Sequence, residues 1–114
     1  MTLLNVPEEL SLVEYFGAAP EARVPKDGYW SFKVTDKTGL TLRFSFNIFE
    51  GSVQTELTLG GDVIETVSHE LADGIVVNGE ELVATFAGVD SKAGLALKLR
   101  PMISVKWFTL RTGT

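Results

Sequence analysis

The sequence predicts a mainly β (α+β) fold, with one short amino-terminal helix followed by about eight antiparallel strands that form a meander, a curled sheet or a two-layer sandwich. Three observations predict it. Apolar residues alternate with polar ones in repeated short runs, most clearly in Leu40, Leu42, Phe44, Phe46 and Ile48 against Thr41, Arg43, Ser45 and Asn47. Turn-forming groups separate these runs at short intervals: Asp36-Lys37-Thr38-Gly39, Gly60-Gly61-Asp62 and Asn78-Gly79. The one stretch with helical spacing lies at the start.

That helix is expected over Pro7 to Phe16. Asn5 is a candidate cap, Pro7 suits the first turn, and Glu8 and Glu9 favour the positive end of the helix dipole. Leu10, Val13 and Phe16, with Leu12 nearby, make an apolar stripe, and Gly17 and Pro20 stop the helix. Residues 17–28 read as a loop. Trp30, Phe32 and Val34 then alternate with Ser31, Lys33 and Thr35. After the 40–48 run, Glu50-Gly51 turns the chain into Val53, Thr55, Leu57 and Leu59.

Val63 to His69 is a further strand, although Val63, Ile64 and Val67 do not share one face. Ala72-Asp73-Gly74 reads as a turn before the short run Ile75-Val76-Val77, which the Asn78-Gly79 hairpin joins to Leu82 to Phe86. Gly88 to Gly94 reads as a loop. Leu95, Leu97 and Leu99 form a strand ended by Pro101. In the last strand Ile103, Val105, Trp107 and Thr109 share one face, and Ser104, Lys106, Phe108 and Leu110 the other. Short turns pair neighbours antiparallel, and a sheet this long curls or splits into two layers. Residues 1–114 carry no repeat or linker and read as one domain.

Charge distribution is the most unusual feature. The net charge is −5. From Phe44 to Ser91 there is no Lys or Arg, but there are nine acids: Glu50, Glu56, Asp62, Glu65, Glu70, Asp73, Glu80, Glu81 and Asp90. From Lys92 onward stand Lys92, Lys98, Arg100, Lys106 and Arg111, with no acid. An acidic excess argues against nucleic-acid binding, which needs cations facing phosphates. If the basic strands lie beside the acidic ones, cross-strand pairs absorb part of the charge. Nine acids against five bases leave a negative surface, and such a surface steers a basic partner into encounter. Glu56, Glu65, Glu70, Asp73, Glu80 and Glu81 are the candidate partner-binding residues.

Catalytic and metal-binding groups are sparse. There is no cysteine, which removes disulfides, thiolate nucleophiles and Cys-based zinc sites and suits a reducing compartment. The only histidine is His69, in Ser68-His69-Glu70-Leu71-Ala72-Asp73. A zinc-protease motif needs a second His one helical turn on, whereas here a strand points His69 and Glu70 to opposite faces. Ser68 and Ser91 with Asp73 and Asp90 supply the other members of a formal Ser-His-Asp set, but Ser68 cannot face its neighbour His69 along a strand.

Glu80-Glu81 lies where solvated acids flank a turn, and nothing sets two carboxylates across a glycosidase cleft. Asp62 with Glu65, or Glu70 with Asp73, lack the regular ligand spacing of a calcium loop. Gly60-Gly61 is a hairpin, not a phosphate cradle. No catalytic residue, cofactor or metal is expected. The first residues, Met1 to Glu9, lack a basic start and a long apolar run, so no signal peptide is expected. No membrane contact is expected either, and the location is expected to be cytoplasmic.

Glu14-Tyr15-Phe16-Gly17-Ala18-Ala19-Pro20, a helix ending in Phe-Gly-x-x-Pro before a run of strands, resembles the opening of small immunity proteins that partner bacterial polymorphic toxins. Where those proteins often continue with Phe-His-Asp, this chain has Glu21-Ala22-Arg23. The resemblance implies a non-enzymatic cytoplasmic protein that binds and neutralises a cognate toxin, a basic nuclease-like domain in its most specific form. Two alternatives stand beside it. One is a self-assembling β domain, forming a homodimer through exposed aromatics (Tyr29 with Trp30, Trp107 with Phe108) or an edge strand such as Ile103 to Leu110. The other is a small-ligand-binding β-sandwich.

Overall fold

The computed structural model describes residues 3–86 and 91–111. Helix α1 (Glu9–Phe16) precedes β1 (Ala22–Val24), β2 (Tyr29–Thr35), β3 (Leu40–Asn47), β4 (Ser52–Leu59) and β5 (Asp62–His69). Then come β6 (Ala72–Asn78), β7 (Glu81–Phe86), β8 (Ser91–Lys98) and β9 (Ser104–Arg111). The strands form two antiparallel meanders, β1-β2-β3-β4-β5 and β6-β7-β8-β9. The long sheet has therefore split into two layers, between β5 and β6.

Alternation in the sequence explains the core. In the first sheet Phe32 lies opposite Phe44 and Phe44 opposite Thr55, so one face carries Phe32, Leu42, Phe44, Phe46 and Val53, all buried. In the second, Leu82 faces Leu97 and Ala84 faces Leu95, and these too are fully buried. Removing each large side chain from water contributes roughly 1.5–3 kcal/mol. Trp107 ties the layers together: its indole Nε1 donates to Thr55 Oγ1 at 2.9 Å. The backbone N–H of Ile103 donates to Asp36 Oδ2 at 3.0 Å and anchors the start of β9 to the β2–β3 turn.

Helix α1 spans both layers. Phe16 stacks on Phe32 and Phe44 of the first sheet, with centroids 4.7 and 5.7 Å away. The Tyr15 hydroxyl lies 3.0 Å from Leu97 O and 3.1 Å from Glu80 O and donates to one at a time. Burial pushes the Tyr15 phenol up to about 12.

Several expectations are corrected. The helix begins at Glu9, and its buried stripe is Leu12, Tyr15 and Phe16, while Leu10 is exposed. Asn5 does not cap it. Instead Asn5 bridges to Gly74: its N–H donates to Asp73 O and its carbonyl accepts from Ile75 N–H. Residues 17–28 are not all loop, since β1 and a 3-10 turn (Pro25–Asp27) lie within them. Ala72-Asp73-Gly74 is strand, and the chain turns earlier, around Leu71, which takes a φ of 66°. Of the expected 88–94 loop, residues 91–94 belong to β8, and 88–90 lie outside the described residues.

Candidate protein interface

The six candidate acids do not gather into one patch. Glu56 sits on β4 directly opposite Arg43 of β3, and Arg43 Nη1 donates to its Oε1 at 2.7 Å. The same guanidinium grips Glu21 through Nε and Nη2, at 2.7 and 2.8 Å. Those bonds hold the Glu21 carboxyl down to about 2 and raise the Arg43 pKa further. Glu56 is thereby committed to an internal ion pair. Glu81 opens β7 opposite Lys98 of β8, which sets a basic residue beside it although the two make no ion pair among the described residues.

Glu65, Glu70, Asp73 and Glu80 are exposed and make no ion pair among the described residues. Glu65 lies on β5, facing the same way as its cross-strand neighbour Leu57. Glu70 stands between β5 and β6, and Asp73 is the second residue of β6. Glu80 lies in the turn at the other end of β6, roughly 20 Å away at about 3.3 Å per residue. Unpaired negative charge is thus concentrated along β5 and its exit, with Glu80 apart from it.

His69, at the end of β5, packs its ring on Phe86 and Trp107, with centroids 4.8 and 6.2 Å away, and its Nδ1 lies 3.0 Å from Glu70 O. The histidine belongs to the seam between the layers. Among the described residues no group of three or more metal-ligating side chains converges, and no helix is long and apolar enough to cross a membrane.

The aromatic pairs divide between the faces. Trp30 packs inward on Phe46 and donates its indole N–H to Glu9 Oε1 at 2.7 Å. That bond and the Arg23 ion pair hold the Glu9 carboxyl below its ordinary value. Trp107 also points inward. Phe108 lies on the outer face across the backbone of Gly94, where an added Cβ would come within 2.3 Å of its ring. A groove of about 450 Å³ opens between the end of α1 and the β8–β9 connection, lined by Phe16, Lys33, Asp36, Lys37, Arg100 and Ile103.

Sequence reasoning missed the exposed apolar residues that flank the acids. Leu59, Val63, Ile64 and Leu71 are 47%, 57%, 56% and 67% exposed, all on or beside β5. One signal was available: no Lys, Arg or Pro occurs from Asp62 to Asp73.

The chain matches no protein-family model and no curated protein. Among solved structures it is similar to a chain of a contact-dependent growth inhibition toxin–immunity protein complex from Klebsiella pneumoniae 342. The match covers 96% of this chain and 100% of that chain, at 22% identity and a TM-score of 0.86. The two chains share one fold.

Proposed function

We propose that this chain is a protein-binding domain of the immunity type, which neutralises a bacterial toxin by binding it without performing chemistry of its own. The observation that carries this reading is the full-length fold similarity to a chain from a toxin–immunity complex. The Phe16-Gly17-Ala18-Ala19-Pro20 opening agrees with it, and so does the chain's acidity.

Of the six acids, Glu65, Glu70, Asp73 and Glu80 supply the steering charge in this reading, with Glu81 set opposite Lys98. Glu56 acts within the fold, through Arg43. A basic toxin domain is the partner this distribution favours. The chain works in the cytoplasm, where such a toxin acts.

The test is growth. Each reading frame adjacent to this one in its genome is expressed from a repressible promoter, with and without this chain. One frame is expected to arrest growth alone and to be tolerated with the chain present. Arrest that the chain does not relieve, or neighbours that are all harmless, would remove the toxin reading.

A further inference from the structure

We infer that β5 is a docking edge that receives a cationic extended segment of the partner protein as a sixth strand of the first sheet, a conclusion that rests on the protein-binding reading above. An antiparallel strand directs its N–H and C=O groups alternately toward one neighbour and away from it. A strand with one neighbour therefore presents a row of unpaired groups, and folded proteins block such rows with Lys, Pro, short length, a bulge or a covering segment.

Three of the four sheet edges are short, closed at one end or marked by Lys. β1 has three residues. The start of β6 is closed by Asn5, which bridges Gly74 through bonds of 3.2 and 2.8 Å. β9 carries exposed Lys106 as its third residue. β5 is eight residues long, pairs with β4 alone among the described residues, and contains no Lys, Arg or Pro; Val67 alone among its residues is even partly buried. Its one blocking device is a bulge at Ile64, near its start, which leaves Glu65 to His69 in unbroken register with Leu57 to Val53. Those five residues form a regular template, and β-strand addition uses the main chain of such an edge for affinity and flanking side chains for specificity.

Charge selects the occupant. Asp62, Glu65 and Glu70 line the edge and make no ion pair among the described residues. Two β5 edges brought together would set six acids side by side with no Lys or Arg between them, and like charges on neighbouring strands repel. A strand bearing Lys or Arg turns the same charges into attraction. Exposed Val63 and Ile64 at one end and Leu71 at the other add apolar contact, so a segment alternating Lys or Arg with Val or Ile fits best.

The probe is the peptide acetyl-Lys-Val-Lys-Val-Lys-Val-Lys-Val-amide, with its Glu-for-Lys counterpart as control, added to the full chain. Residue-resolved hydrogen exchange is the readout. The lysine peptide should slow exchange, saturably, at the outward amides of Glu65 to His69, and the glutamate peptide should not. Glu65→Lys with Glu70→Lys should weaken the protection about tenfold or more. Thr66→Lys, at an exposed position, should do the same if the double variant folds poorly. Equal response to both peptides, protection on β6 or β9 instead, or no response at β5 would overturn the inference. Concentration-dependent protection of β5 in the chain alone would replace the cationic partner with a second copy. Growth rescue by a chain whose β5 stays unprotected in the complex removes the docking edge alone. Protected β5 amides without rescue remove the toxin alone.

Discussion

Thr55 and Trp107 carry a side-chain bond between the two layers, and its worth can be read from a double-mutant cycle. Thr55→Val keeps the shape of a side chain that is 1% exposed but removes the acceptor of the Trp107 indole N–H. An unsatisfied donor costs about 1–3 kcal/mol. Trp107 is only partly buried, so water satisfies some of that loss, and the low end applies: about 1 kcal/mol, a few degrees in melting temperature. Trp107→Phe removes the donor as well as part of the ring that packs on Phe86 and His69. In that background Thr55→Val should cost almost nothing, because no donor is left unpaired. Urea unfolding followed by far-ultraviolet circular dichroism measures all four proteins independently of tryptophan fluorescence. A coupling of about 1 kcal/mol is expected, above the roughly 0.3–0.5 kcal/mol scatter of independent sites. Strict additivity would refute the role given to this bond.

Three further outcomes follow from the structure. Tyr15→Phe should cost about 1 kcal/mol at neutral pH, because the carbonyls of Leu97 and Glu80 lose their donor. The Tyr15 phenol is raised from 10.0 to about 12, so its contribution is complete below pH 10 and is lost as pH rises toward 12; the variant should flatten that alkaline fall in a pH-dependent melting series. Asp36 is held down to about 2, from 3.8, by the Thr38 hydroxyl and the Ile103 N–H, so its contribution is complete above pH 3.8 and lost as pH falls through about 2; Asp36→Asn should remove that part of the acid transition, and an unchanged acid limb would count against the anchor. Neutralising Glu65, Glu70, Asp73 and Glu80 together should slow association with the toxin domain and flatten its salt dependence, whereas Glu56→Gln, already paired with Arg43, should leave the association rate nearly unchanged in stopped-flow measurements.

Much of the fold is legible where one face of a strand is buried and the other wet. The Leu40 to Ile48 run and the Ile103 to Trp107 face are examples, because burial imposes a period of two. The sequence misleads where that condition fails. β5 is exposed on nearly every residue, and its bulge at Ile64 shifts the alternation by one, so that Val63 and Val67, four residues apart, fall on opposite faces. Gly74 looks like part of a turn but lies in a strand where the Asn5 carbonyl would come 3.6 Å from an added Cβ. β1 is too short to show any period, and Leu10 fits the helical stripe by spacing yet faces solvent.

The candidate interface divides in the same way. A run of charge along the chain is visible in one dimension, but pairing is not. Arg43 captures Glu56 and Lys98 faces Glu81 only because strand register brings residues 13 and 17 positions apart together. The unprotected edge of β5 is likewise a property of strand order. The missing Lys, Arg and Pro from Asp62 to Asp73 were the one trace of it in the sequence.

Toxin neutralisation is tested most directly by titrating the purified chain into the purified toxin domain while following the toxin's activity. Activity should fall linearly and vanish near one equivalent of chain. Activity that stays constant at excess chain would contradict the proposed function, whatever the fold similarity.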